Sequence, residues 1–220
     1  MNKKDLDILK ATYKMNNIVR FAGRRLINEY KVGEHTFRVA MIAMLMVDHY
    51  NLENPENPIN WEEVQRKALI HDLEEAYMGD IPSPMKKLLG MRDKLREVSE
   101  HLMEEYILEG LPEELKEKYL NMWVNDKEDE TGEVIKLADK MEGLLVCYHE
   151  VLKKGNEDLK ETFVRELNWF QQEENRILLK KYSWCDKQYQ KIISQCSKYK
   201  QEEKQFDKDI RELAKKSLKK

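Results

Sequence analysis

The stretch Ala68-Leu69-Ile70-His71-Asp72-Leu73-Glu74-Glu75-Ala76-Tyr77-Met78-Gly79-Asp80-Ile81-Pro82-Ser83-Pro84 constrains this chain more than any other. An apolar helical run ends in an adjacent imidazole and carboxylate, and a Gly-Asp-Ile-Pro turn then stops the helix. Helical spacing sets Glu75 at i+4 from His71 and i+3 from Asp72, on the same side as both. A nitrogen and an oxygen donor side by side suit a divalent transition metal, and a carboxylate beside a metal can move a proton. A lone His-Asp pair is more often a capping or solvated pair, whereas a metal asks for about four ligands. The pattern therefore requires partners from other helices.

Two further positions meet that requirement. His35 begins a run with Val39, Ile42 and Met46 at i+4, i+7 and i+11, so it shares the buried stripe of its helix. Asp139 lies in Val134-Ile135-Lys136-Leu137-Ala138-Asp139-Lys140-Met141-Glu142, where Ile135 at i−4 and Glu142 at i+3 share its face. An unpaired carboxylate on such a face is costly, so it needs a partner.

Taken in order, Gly33-Glu34-His35-Thr36-Phe37-Arg38-Val39-Ala40, His71-Asp72 and Leu137-Ala138-Asp139-Lys140 resemble the H…HD…D pattern of the HD-domain metal-dependent phosphohydrolases. The segment Gly79 to Pro84 is similar to that of the 5'-deoxynucleotidase branch, and the resemblance runs over residues 15 to 150. It implies a divalent ion (Co²⁺, Mn²⁺ or Mg²⁺) held by His35, His71, Asp72 and Asp139, with Glu75 as general acid or base. It also implies that Arg20-Phe21 matches the Arg-aromatic pair ahead of the first metal histidine. The family usually has Trp where this chain has Phe21, which bears on the choice between ribose and deoxyribose. By the same resemblance Asp80 helps hold sugar or phosphate, Lys86 faces the phosphate, and the protein is a homodimer. Arg20, Arg24 and Arg25 are otherwise surface arginines at helical spacing, and Asp80 is otherwise a turn residue.

Hydrophobic residues make up 41% and charged residues 37%, with only 8 Gly and 5 Pro, too few turn formers for a sandwich or an α/β sheet. The fold class read from this is all-α: an HD helical bundle over residues 1–183 and a basic amphipathic helical extension over 184–220. Residues 180–220 hold 13 Lys and Arg against 6 Asp and Glu, leaving 26 against 36 in the first 179. A solvated helix explains that tail better than nucleic-acid binding, because no stacking aromatics alternate with Arg. Tyr189, Ile192, Cys196, Tyr199, Phe206, Ile210 and Leu213 approximate a heptad seam broken at Glu203 and Ser217, suited to packing back on the domain or to a coiled coil. No apolar stretch reaches the roughly 18 residues of a membrane span, and Met1 to Asp5 lead into no signal-peptide core, so a cytosolic protein is expected. Cys147, Cys185 and Cys196 lack Cys-x-x-Cys spacing and read as reduced thiols.

The remaining elements read as two short helices over 5–30 joined at Asn16-Asn17, a helix over 35–50 and a loop over 51–60. A helix then starts at Trp61, with Asn60 and Glu63 as a capping box and Trp61 in the core or in a helix-packing contact. Charged helices follow over 92–120, broken at Gly110-Leu111-Pro112, and an acidic loop precedes the Asp139 helix. A last helix over 157–181 carries Phe163, Leu167, Phe170, Ile177 and Leu178 on its apolar face. His49, His101 and His149 read as surface or helix-end residues. The function expected is metal-dependent hydrolysis of a (deoxy)nucleoside 5'-monophosphate. The alternatives are a deoxynucleoside triphosphate triphosphohydrolase with the same core, or a regulatory module that binds nucleotide without turning it over.

Overall fold

Apolar residues recurring every three or four positions fold as helices whose stripes face one another. In the computed structural model, which describes residues 7–82, 92–124 and 129–196, every regular element is helical. The order is α1 (Asp7–Met15), α2 (Val32–Glu53), α3 (Trp61–Ile70), α4 (Glu75–Met78), α5 (Arg92–Leu102), α6 (Glu113–Val124), α7 (Glu130–Tyr148), α8 (Lys160–Gln171), α9 (Glu173–Lys181) and α10 (Ser183–Gln195). One-turn π segments, Met103–Ile107 and His149–Lys153, extend α5 and α7. The extended pairing seen among the described residues is a single antiparallel bridge between Val19 and Lys31. The all-α class is therefore correct, and no described helix is long and apolar enough to cross a membrane.

Two apolar clusters form. Helices α2, α3 and α7 pack pairwise and bury Val39, Ala43, Met46, Val64, Ala68, Ile135, Leu137 and Met141. The second cluster joins Ala11 and Met15 of α1 to Val32, Ile70, Leu73, Met103 and Trp123. His35 falls between Val32 of one cluster and Val39 of the other, and His71 between Ile70 and Leu73 just beyond Ala68, so both imidazoles sit where the clusters meet. Helix α10 adds Cys185, Tyr189 and Ile192 to the first cluster, and Cys196 just past its end joins them, so residues 183–196 share that core. Tyr199, Phe206, Ile210 and Leu213 of the expected seam lie outside the described residues. Cys147 and Cys185 are buried free thiols, and Cys196 is buried as well.

Several local expectations change. The second short helix before residue 30 does not form. Residues 18–31 run irregularly, closed by Arg20 N–H to Tyr30 O at 2.8 Å and Val32 N–H to Ile18 O at 2.9 Å, with Phe21 and Gly23 at positive φ. Helix α2 continues to Glu53, and the Asn51 side chain bonds both the N–H and the C=O of Ile59 to close the shorter loop. Asn60 caps α3 by accepting from Glu63 N–H at 3.2 Å, but Glu63 turns to Lys67 and Thr131 and does not complete a capping box. Trp61, in the first turn, is 48% exposed and is not a core residue. The helix expected over 157–181 breaks at Gln172, where ψ is 140°, and Asn175 Nδ2 bonds Trp169 O across the break. The shift in register exposes Ile177 and buries Leu179 instead.

Asp129 starts α7 and also neutralises a buried cation. Its carboxylate accepts from Gly132 N–H at 2.7 Å and from Lys67 Nζ at 2.7 Å, and Lys67 is 1% exposed. Burial opposes ionisation of Asp129, but Lys67, Thr131 and Gly132 outweigh it and hold the carboxyl below its usual range. Its contribution is thus complete above about pH 4 and is lost as pH falls through the lower folded value. Asp129→Ala should lower stability by about 1–3 kcal/mol, by losing a cap and leaving the Lys67 ammonium poorly compensated. Urea unfolding at pH 7 measures this, and an unchanged midpoint would count against the argument.

Candidate active site

The α3 helix ends at Ile70, but its spiral does not unwind at once. Leu73 N–H bonds Ile70 O, Glu75 N–H bonds Asp72 O and Ala76 N–H bonds Leu73 O, all at 3.1–3.2 Å and all i to i+3. This tight turn carries His71 and Asp72 and leads straight into α4, so Glu75 stays near both despite the break in the α-helix. Gly79, at φ 74°, closes α4 with its N–H on Glu75 O at 2.8 Å, as the sequence suggested.

Four side chains from α2, the α3–α4 turn and α7 converge. His35 Nε2 lies 3.3 Å from His71 Nε2, 3.3 Å from Asp72 Oδ2 and 3.2 Å from Asp139 Oδ1. His71 Nε2 is 3.3 Å from the same Asp72 oxygen. His35, His71 and Asp139 each offer an atom within 4.8 Å of the others. Metal–nitrogen bonds of about 2.0–2.1 Å put neighbouring donors roughly 3–3.4 Å apart, the spacing these atoms have. The proton positions fit as well. His71 Nδ1 faces Ala68 O at 2.8 Å and His35 Nδ1 faces Glu142 Oε2 at 2.8 Å. An acceptor at each Nδ1 places the ring proton there and leaves the Nε2 lone pairs facing one another, an arrangement that suits a shared cation.

Without a cation, protons answer the same field. Burial and Arg20 oppose protonation of His35, but Asp139, Asp72 and Glu142 outweigh them and hold its value well above the ordinary range. Burial likewise opposes a charge on His71, and Asp72 raises it nonetheless. Asp72 and Asp139 are both held low against burial, Asp72 by His71, His35 and Arg20, Asp139 chiefly by His35.

Arg20 and Glu75 border the cluster. Arg20 Nη1 donates to Asp72 Oδ2 at 2.9 Å and lies 3.8 Å from Glu75 Oε2. Glu75 is 6% exposed, and its Oε2 is buried without a hydrogen-bond partner. Burial first, then the Asp72 charge, pushes the Glu75 carboxyl up to about 9. Glu74 turns away to accept from Trp123 Nε1 at 2.9 Å, and burial with Asp72 raises it to about 7. Asp80 Oδ2 accepts from Phe21 N–H at 3.0 Å. That bond holds Phe21 at φ 59°, a left-handed conformation costly for a bulky residue by about 1–2 kcal/mol. The Arg20-Phe21 turn is thereby tied to the Gly79-Asp80 turn beside the cluster. Arg24 pairs instead with Glu161, and Lys86 lies outside the described residues.

Two participants escaped the sequence reading. Glu142, 1% exposed, accepts from Tyr30 Oη as well as facing His35, and burial followed by the Glu142 charge keeps the Tyr30 phenol protonated by raising its pKa. The i+3 spacing from Asp139 put Glu142 on the right face, but nothing local indicated its partners. The other histidines stand apart: His49 stacks on Trp184, and His101 meets the ring of Tyr106 edge-on.

Comparison with known proteins places most of the chain among relatives. The sequence model of the 5'-deoxynucleotidase YfbR-like family matches residues 8–184. A 5'-deoxynucleotidase of Vibrio vulnificus is 30% identical over 146 residues, covering 66% of this chain and 74% of the relative. An HD-domain phosphohydrolase from Listeria innocua has a TM-score of 0.63 and 26% identity, over 78% of this chain and 87% of that one. The HD phosphohydrolase of cyanophage S-2L, solved with dA and one catalytic Zn²⁺ ion, shares the fold at a TM-score of 0.51 and 18% identity, over 82% and 95% of the two chains.

Proposed function

Because the chain belongs to the YfbR-like 5'-deoxynucleotidase family, we propose that the converging His, Asp, Arg and Glu side chains hydrolyse the phosphate ester of (deoxy)nucleoside 5'-monophosphates. The protein is an HD-type metal-dependent phosphohydrolase. The observation that carries the site reading is the facing pair of imidazole nitrogens with two carboxylate oxygens at 3.2–3.3 Å.

A divalent ion would be held by His35, His71, Asp72 and Asp139, and when bound it supplies Lewis acidity and a water of lowered pKa. Arg20 uses one nitrogen to grip Asp72 at 2.9 Å, which fixes the guanidinium while its other N–H groups remain to pair with phosphoryl oxygens. Glu75 offers an unpartnered buried oxygen beside Arg20, where it can hold or move a proton for the attacking water or the departing 5'-oxygen. Asp72 serves catalysis as well as the ion, since it also orients Arg20. Asp80 holds the Phe21 turn, so that the ring borders the sugar, and Lys86 adds charge against the phosphate. The phosphorus–O5' bond breaks, and nucleoside and inorganic phosphate leave. The same reading takes the working protein to be a cytosolic homodimer.

The test is to strip the protein of metal, add back Co²⁺, Mn²⁺ or Mg²⁺, and identify the products from a panel of ribo- and deoxynucleoside mono- and triphosphates. Inorganic phosphate from deoxynucleoside monophosphates is expected. Ribonucleotide turnover alongside it would assign relaxed sugar selection to Phe21. Release of triphosphate would move the chain to the triphosphohydrolase reading, and tight metal binding without turnover would overturn the enzyme reading.

A further inference from the structure

We infer that Glu142 is a positioning residue: it fixes the tautomer and ring orientation of His35 and thereby sets how tightly the cluster holds its ion. This rests on the phosphohydrolase reading and goes beyond the four ligands. Glu142 follows Asp139 by three residues on α7, so one helix face supplies both a donor to the cluster and the support for another donor. Its Oε2 lies 2.8 Å from His35 Nδ1, and its Oε1 accepts from Tyr30 Oη. With both oxygens held, the carboxylate cannot swing away from the imidazole. Arg38, the nearby cation, is half exposed and 3.8 Å from Oε1, so it does not by itself account for a carboxylate that is 1% exposed.

The contrast with His71 sharpens the assignment. His71 Nδ1 rests on a backbone carbonyl, Ala68 O, which no side-chain substitution removes. His35 alone of the two depends on a side chain for its orientation. A carboxylate at Nδ1–H also makes the opposite nitrogen a stronger ligand than a carbonyl would. Without Glu142 the His35 proton is free to sit on Nε2, where it blocks coordination.

The experiment titrates metal-free wild type, Glu142→Gln, Glu142→Ala and His35→Ala with Co²⁺, following calorimetric affinity and the visible Co²⁺ spectrum, with the metal-free Tm of each. We expect Glu142→Gln, which keeps one acceptor, to bind Co²⁺ about tenfold more weakly, and Glu142→Ala up to about a hundredfold more weakly with an altered spectrum. Should Glu142→Ala not fold, the near-isosteric Glu142→Gln carries the test. Wild-type affinity and spectrum in the Glu142 variants, with binding lost only in His35→Ala, would overturn the assignment, as would a lower Tm with unchanged Co²⁺ binding. If wild type and His35→Ala bind Co²⁺ equally poorly, it is the metal-site reading that fails.

Discussion

Asp139→Ala should yield a folded protein that has lost its metal-dependent turnover. Asp139 is the most accessible of the four converging side chains, with 27% of its side chain exposed, so its removal opens no deep cavity in the α7 core. What it removes is an oxygen 3.2 Å from His35 Nε2 and a negative charge that would help balance a bound cation. Loss of the ion forfeits both charge stabilisation and nucleophile generation, so kcat/KM should fall by at least about a thousandfold, or roughly 4 kcal/mol of transition-state stabilisation. The checks are phosphate release, metal content after dialysis, and circular dichroism. A variant that keeps stoichiometric metal and more than a tenth of wild-type activity would remove Asp139 from the ligand set.

Glu75→Ala gives the second large effect, with the opposite signature. The four proposed metal donors are untouched, so Co²⁺ binding and nucleotide affinity should stay near wild type. The rate, however, should drop by about 10²–10⁴, the range for losing a positioned proton carrier. Glu75→Gln keeps the shape and loses the titratable proton, so it should be nearly as slow; near-normal turnover in that variant would leave Glu75 a merely structural role. The neighbouring carboxylate supplies a control. Glu74 is committed to Trp123, so Glu74→Gln should retain most activity.

The donors were legible because a polar residue on an otherwise apolar helical stripe is conspicuous. His35 among Val39, Ile42 and Met46, and Asp139 four residues after Ile135, stand out by periodicity, and the resemblance to the H…HD…D pattern joined them to His71 and Asp72. Their second partners were not legible. The Tyr30–Glu142 and His35–Glu142 pairs join residues 112 and 107 positions apart, a distance over which no local pattern speaks. The failure over residues 18–31 has the same origin. Their helical propensity was outcompeted once Tyr30 O, Asp80 and Glu150 offered distant acceptors to the N–H groups of Arg20, Phe21 and Ile27. The break at Gln172 is likewise held by a side chain, Asn175, reaching back to Trp169 O.

The placement of the donors on α2, the α3–α4 turn and α7 bears on how the protein ages as well as on how it reacts. No stretch of chain shorter than residues 35–139 contains the full set, so an ion cannot guide the earliest collapse. Apolar packing has to bring the three helices together before these donors can meet, so an ion held by them would join a nearly finished structure. Interactions made after the folding barrier slow unfolding and leave the folding rate alone. A metal held by these donors would therefore be a brake on the loss of the native state: it would lengthen the lifetime of each folded molecule without hastening its formation.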